Sequence, residues 1–244
     1  MNKVALVILT VVVILTLSQC GGSKEAKNES ANATKEAPGD YTGALAKYGE
    51  IVKYNEVKDS KDIKKAAQAA DDAITAWSAL QKSYTDKGPG VYANYKGWAN
   101  TIGGINNKLN EIKTALDAGD SEKAARACLD VEDFILAMDK DLQIVTTADK
   151  VVEMRRLLLD LKEKQGDEKK LVVTQMNDLA AKLSDTGLPK PTRASGKEEI
   201  HKQLVDSIVD AERKFAEAGD NKEVHLANRD LLIDYCAQYI VEFM

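Results

Sequence analysis

Trp98, Ile102, Ile105, Leu109, Ile112 and Leu116 follow one another at steps of four, three, four, three and four residues. Only an α-helix gathers residues so spaced on one side, so this stretch must bury a single apolar stripe. The next segment repeats the rhythm with Ala124, Cys128, Val131, Ile135, Met138 and Leu142, and an earlier one carries Ile63, Ala70, Trp77 and Tyr84 seven apart. The spacing in the second half predicts helices near 148–164, 168–185, 197–218 and 221–243. No sustained two-residue alternation competes with them, which makes the chain all-α.

The helices are separated by a recurring joint. Gly-Asp occurs at 39–40, 119–120, 166–167 and 219–220. Glycine can take the left-handed conformation that ends one helix, and aspartate can cap the next by accepting a backbone N–H. Ser195 with Glu198, and Asp220 with Glu223, have capping-box spacing. Shifting the chain by 100 residues places Ala115-Leu116-Asp117-Ala118-Gly119-Asp120 on Phe215-Ala216-Glu217-Ala218-Gly219-Asp220, and Pro89 on Pro189. The expectation is two tandem up-and-down four-helix bundles, 41–144 and 145–244, related by duplication.

Before them, Lys3 opens an apolar run from Val4 to Leu17, followed by Leu17-Ser18-Gln19-Cys20 and Gly21-Gly22-Ser23. A run this short, with small and polar residues after it, reads as a signal peptide rather than a spanning helix. The Leu-x-x-Cys ending resembles the lipobox of bacterial lipoproteins. That resemblance implies removal of residues 1–19, acylation of Cys20 with palmitate-type chains, and anchorage on the exported side of an outer or inner membrane. The alternative is an uncleaved N-terminal anchor, which also leaves the remainder exported. Residues 20–40, almost free of apolar side chains, form the expected tether.

Charge and residue counts exclude several functions. There are 34 Lys plus Arg against 39 Asp plus Glu, a net charge of −5, which offers no cationic field for nucleic acid. Three cysteines cannot form a disulfide scaffold; with Cys20 acylated, Cys128 and Cys236 are left either to pair or to stay as buried thiols. The only histidines, His201 and His225, fall on different helices, and no nucleophile elbow or phosphate loop is present. Glu198 and His201 share a helix face but lack the second such pair of a di-iron bundle, so they read as a solvated helix start. Asp130, Glu132 and Asp133, like Asp206, Asp210 and Glu212, lie among Lys and Arg and read as solvated faces. No metal site or enzyme activity is expected.

Two sets of residues are candidate sites. Tyr84, Tyr92, Tyr95 and Trp98 concentrate four of the 13 aromatics beside Gly88, Pro89 and Gly90. Aromatics at a turn supply large contact area for a ligand or partner, or else cap the open end of a bundle. The second set rests on Ala148-Asp149, Glu153-Met154-Arg155-Arg156-Leu157 and the Ala218-Gly219-Asp220 joint. In helix lengths and loop placement, 148–243 resembles the soluble periplasmic b-type cytochromes. The resemblance implies haem held near Met154 and opposite Tyr239, where the family has histidine. The expectation is therefore a lipoprotein without a cofactor, with a binding or assembly role toward an envelope protein or small ligand; the alternative carries haem b and transfers electrons.

Overall fold

The computed structural model describes residues 40–144, 147–161, 164, 166–183, 196–218 and 221–243. The signal peptide, Cys20, nearly all of the tether, Pro189, Pro191, Ser195, Gly219 and Asp220 lie outside the described residues. Within them the chain is all-α, with eight helices and two short 3-10 turns. The helices are α1 (Tyr41–Glu56), α2 (Ile63–Ser83), α3 (Trp98–Asp117), α4 (Ser121–Asp141), α5 (Thr147–Asp160), α6 (Gly166–Leu183), α7 (Glu198–Glu217) and α8 (Lys222–Phe243).

Several boundaries have a local chemical cause. Asp40 accepts from the N–H groups of Thr42 and Gly43 and starts α1. Asp62 accepts from Lys64 and Lys65 and starts α2. At the α3–α4 joint, Gly119 has φ of +77°, its N–H reaches Leu116 O at 3.0 Å, and the Asp120 N–H reaches Ala115 O at 2.9 Å. That pair of bonds closes α3, while Asp120 Oδ1 accepts from Lys123 N and opens α4. The Gly166-Asp167 joint differs from expectation. Gly166 has φ of +55°, but Asp167 already sits in the first turn of α6. Helix α5 also stops at Asp160, short of 164, and Lys164 N donates to Leu161 O at 3.1 Å. Asn221 Oδ1 accepts from Val224 N at the start of α8.

Helices α1 to α4 pack in sequence, and α4 returns to α1; α5 to α8 do the same, and α8 returns to α5. Each run is thus an up-and-down quartet. The 100-residue offset persists in the helix limits: α2 ends at Ser83 and α6 at Leu183, while α3 and α7 both span 20 residues from Trp98 and Glu198.

The stripes predicted from spacing line the first quartet: Trp98, Ile102, Ile105, Leu109 and Ile112 are all fully buried, as are Ala124, Cys128, Val131 and Met138. Ala66, Ala70 and Ala73 are fully buried on α2, and the buried Trp77 of the same helix donates its Nε1 to Ala44 O of α1 at 3.1 Å. The two quartets also meet, through α1 on α8 and α4 on α5, and one apolar core runs from Tyr41 to Phe243 across both. Burying each large aliphatic side chain contributes about 1.5–3 kcal/mol, so this shared core is the main source of cohesion.

Candidate functional site

The most strongly buried charges lie at the seam where α1, α4 and α5 converge. Arg155 on α5 has no solvent exposure. Its Nε donates to Glu56 Oε2 at 2.8 Å and its Nη2 to Glu56 Oε1, while Nη1 lies 2.7 and 2.5 Å from the two oxygens of Glu132. Glu132 on α4 is also fully buried and lies 2.6 Å from the hydroxyl of Tyr48 on α1. That hydroxyl is in turn 3.0 Å from the Cys128 carbonyl oxygen.

Burial pushes the Glu132 carboxyl up to about 7, against the pull of Arg155 and Tyr48. Burial alone would weaken the guanidinium's charge, but Glu132 and Glu56 reverse this and hold it protonated. Cys128 and Cys236 are free, buried thiols in the same electrostatic neighbourhood. Burial raises both, Cys236 to about 12, which keeps them protonated and chemically inert.

Burial corrects two readings made from charge pattern, one at the seam and one on α7. Glu132 and Glu212, expected on solvated faces, are buried, at 0% and 3% exposure. For Glu132, neighbouring Lys and Arg in the sequence mislead because the relevant partner, Arg155, sits 23 residues away on another helix. The available clue was the stripe itself. Cys128, Val131 and Ile135 bracket position 132 on the buried face of α4.

At the far end of the first quartet, the loop aromatics turn inward. Trp98 is fully buried, and its Nε1 donates to Tyr84 O at 2.7 Å. The Tyr92 hydroxyl donates to Asp139 Oδ1 at 3.1 Å, and the Tyr95 hydroxyl pairs with Thr101 Oγ1 at 3.0 Å. Tyr41 supplies the centre of the group, with ring centroids 4.7 Å from Tyr92, 5.8 Å from Trp77 and 6.0 Å from Trp98. Tyr84, Tyr92 and Tyr95 are half-buried, and Val91 is the exposed apolar tip at 58%. The loop therefore closes the end of the bundle. Tyr41 and Trp77 join the loop from α1 and α2, distant in sequence.

Met154 and Tyr239 are both fully buried in the second quartet. The Tyr239 hydroxyl lies 2.9 Å from His201 Nδ1, and both rings pack on Phe243. His201 is therefore half-buried and bonded, contrary to its reading as a solvated helix start. Burial raises the Tyr239 phenol far above its ordinary value. Haem ligation there would require the phenol to leave His201 and ionise where burial opposes ionisation, so these residues do not fit that group.

An open surface groove of about 540 Å³ lies between α3 and α4, lined by Glu111, Lys123, Arg126 and Asp130 among others. Its charges are largely spent on neighbours: Lys108 pairs with Glu111 at 2.9 Å and Asp130 at 3.1 Å, and Arg126 with Asp160 at 3.1 Å. Among the described residues, no group of three His, Cys, Asp or Glu is placed to hold a metal ion, and no helix is long and apolar enough to cross a membrane. No protein-family model, curated protein or solved structure matches the chain.

Proposed function

We propose that the chain is a membrane-anchored lipoprotein of a bacterial envelope whose helical body serves as a non-catalytic binding or assembly scaffold on the exported side. The observation carrying the scaffold reading is how the deepest polar groups are used: Arg155 joins Glu56 and Glu132 across the seam and ties helices together. The anchor rests on Leu17-Ser18-Gln19-Cys20 and the polar stretch after it. The common 100-residue offset in sequence and helix limits supports a duplication. The part of the aromatic loop left for a partner is Val91, beside half-buried Tyr92 and Tyr95.

Two measurements test this reading. In a bacterial host, the wild-type protein incorporates labelled palmitate and sediments with membranes, whereas Cys20→Ser loses the label and accumulates unprocessed. Equal labelling of both removes the anchor. Haem titration of the full chain should give no saturable six-coordinate spectrum. A saturable spectrum lost in Met154→Ala would replace the scaffold reading with the electron-transfer one.

A further inference from the structure

Asp40 caps α1 and Tyr41 packs among Trp77, Tyr92 and Trp98, so the chain enters the helical body at the end closed by the loop 84–97. Cys20 lies twenty residues upstream of Asp40. As the tether its composition implies, this stretch has a root-mean-square span of about 25 Å. The opposite end of the first quartet is farther away by the 21-residue length of α2, about 32 Å. An acyl chain on Cys20 therefore keeps the loop end the nearer one to lipid.

The loop has the side chains of a surface that settles at a lipid boundary. Val91 at its tip is 58% exposed, Tyr84, Tyr92 and Tyr95 are half-buried behind it, and Lys87 and Lys96 are exposed on either side. Aliphatic and tyrosine side chains flanked by lysine suit the zone between headgroups and acyl chains, above all in anionic bilayers. Docking there strands neither hydroxyl of Tyr92 or Tyr95, because Asp139 and Thr101 already pair with them. The turn is also held from within, with Tyr92 N on Pro89 O and Tyr95 N on Tyr92 O, each at 3.0 Å.

The two ends of the first quartet differ in charge. Lys87 and Lys96 outnumber Asp86 in the loop, whereas the joints at the other end, 57–62 and 118–121, set Asp59, Asp62 and Asp120 against Lys58 and Lys61. Exposed apolar side chains occur elsewhere, at Leu171, Val224 and Leu226 near the starts of α6 and α8. They lie far from the point of entry. Gly49 of α1 lies against Val241, and Lys58 N donates to Asp234 Oδ1 at 2.9 Å, so α8 runs antiparallel to α1 and begins past the end opposite the loop.

We propose that the aromatic loop end docks on the surface of an anionic bilayer, with Val91 at the boundary between headgroups and acyl chains and Lys87 and Lys96 on the lipid phosphates. This rests on the lipid anchor proposed above and adds that the body itself touches lipid, by one end. The opposite end is then turned away from the membrane.

The test uses the full-length acylated protein in vesicles of phosphatidylethanolamine and phosphatidylglycerol, with an environment-sensitive dye on Val91→Cys or, as the control at the far end, on Val224→Cys. Cys128 and Cys236 are buried and do not compete for the dye. Brominated acyl chains should quench the label in Val91→Cys by about half and leave that in Val224→Cys almost unchanged. Adding Lys87→Glu and Lys96→Glu to Val91→Cys should remove about half of that quenching. Equal quenching at the two positions in protein that carries its acyl chain and floats with the vesicles overturns the docking, leaves the anchor standing, and returns Val91 to a protein partner. Protein that carries no acyl chain, or stays behind when the vesicles float, removes the anchor and the docking with it.

Discussion

Arg155 Nη1 sits 2.7 and 2.5 Å from the two oxygens of Glu132, and neither side chain is exposed to solvent. A pair in this position holds helices in one register, but it also makes the fold dependent on both members. Arg155→Met leaves Glu56 buried without its cation and should cost about 3–5 kcal/mol. Replacing Arg155, Glu56 and Glu132 together by Met, Gln and Leu should recover much of that loss. Urea unfolding followed by circular dichroism measures both. Equal losses in the single and triple variants would show that packing, not charge, is at stake.

Asp139 gives a second titration that can be separated from Glu132. Burial, with a further contribution from Asp149 against the bond from Tyr92, raises Asp139 from 3.8 to about 6. The native state therefore holds a proton that the unfolded chain has released, and stability falls as pH rises from about 4 to about 6. Asp139→Asn keeps an acceptor for Tyr92 but removes the titration. Its stability relative to wild type should increase by about 2 kcal/mol from pH 4 to pH 7, allowing for partial solvent screening. Urea midpoints across that range give the difference, from which the Glu132 contribution cancels.

Gln143 has φ of +58° where α4 ends. Its N–H reaches Lys140 O at 3.0 Å, and the Ile144 N–H reaches Asp139 O at 2.8 Å, the same closure that Gly119 makes for α3. A side chain in this conformation costs about 1–2 kcal/mol, and Gln143 is exposed. Gln143→Gly should stabilise by about 0.5–1 kcal/mol after the added freedom of the unfolded chain, raising Tm by about 2 °C. An unchanged or lower Tm would place the cost elsewhere.

Gly88 is buried against the aromatic end. A Cβ there would lie 2.5 Å from Trp98 Cε3 and 2.7 Å from Tyr92 Cβ. Gly88→Ala should therefore push the loop off Trp98 and cost about 1–3 kcal/mol, with a red shift in tryptophan emission. Unaltered emission and stability would mean that the loop yields freely.

How much of this was readable beforehand depends on the range of the interaction. Periodicity located the stripes, and Gly119-Asp120 and Asp40 announced their caps, because capping and stripe burial involve residues within one or two turns. Gln143 gave no such notice, being neither glycine nor asparagine. The Arg155 cluster was hidden for a different reason. Glu56, Glu132 and Arg155 resemble surface charges in any local window, and their burial follows from packing one quartet against the other. The aromatic loop was half legible: its composition stood out, but the ring at its centre, Tyr41, comes from the other end of the quartet's sequence.

Heating or urea should reveal one cooperative transition, with fluorescence from Trp77 and Trp98 in the first quartet coinciding with circular dichroism of all helices. Separate transitions would mean that the seam does not couple the quartets.

The apolar core that passes from α1 and α4 into α5 and α8 also affects how such a protein can change over generations. Because the two quartets seal their flanks against each other, neither can be deleted or recombined with another partner without exposing that apolar core, and Arg155 with its carboxylates, to water. The two quartets are thus not modular, and the pair must be inherited as one part.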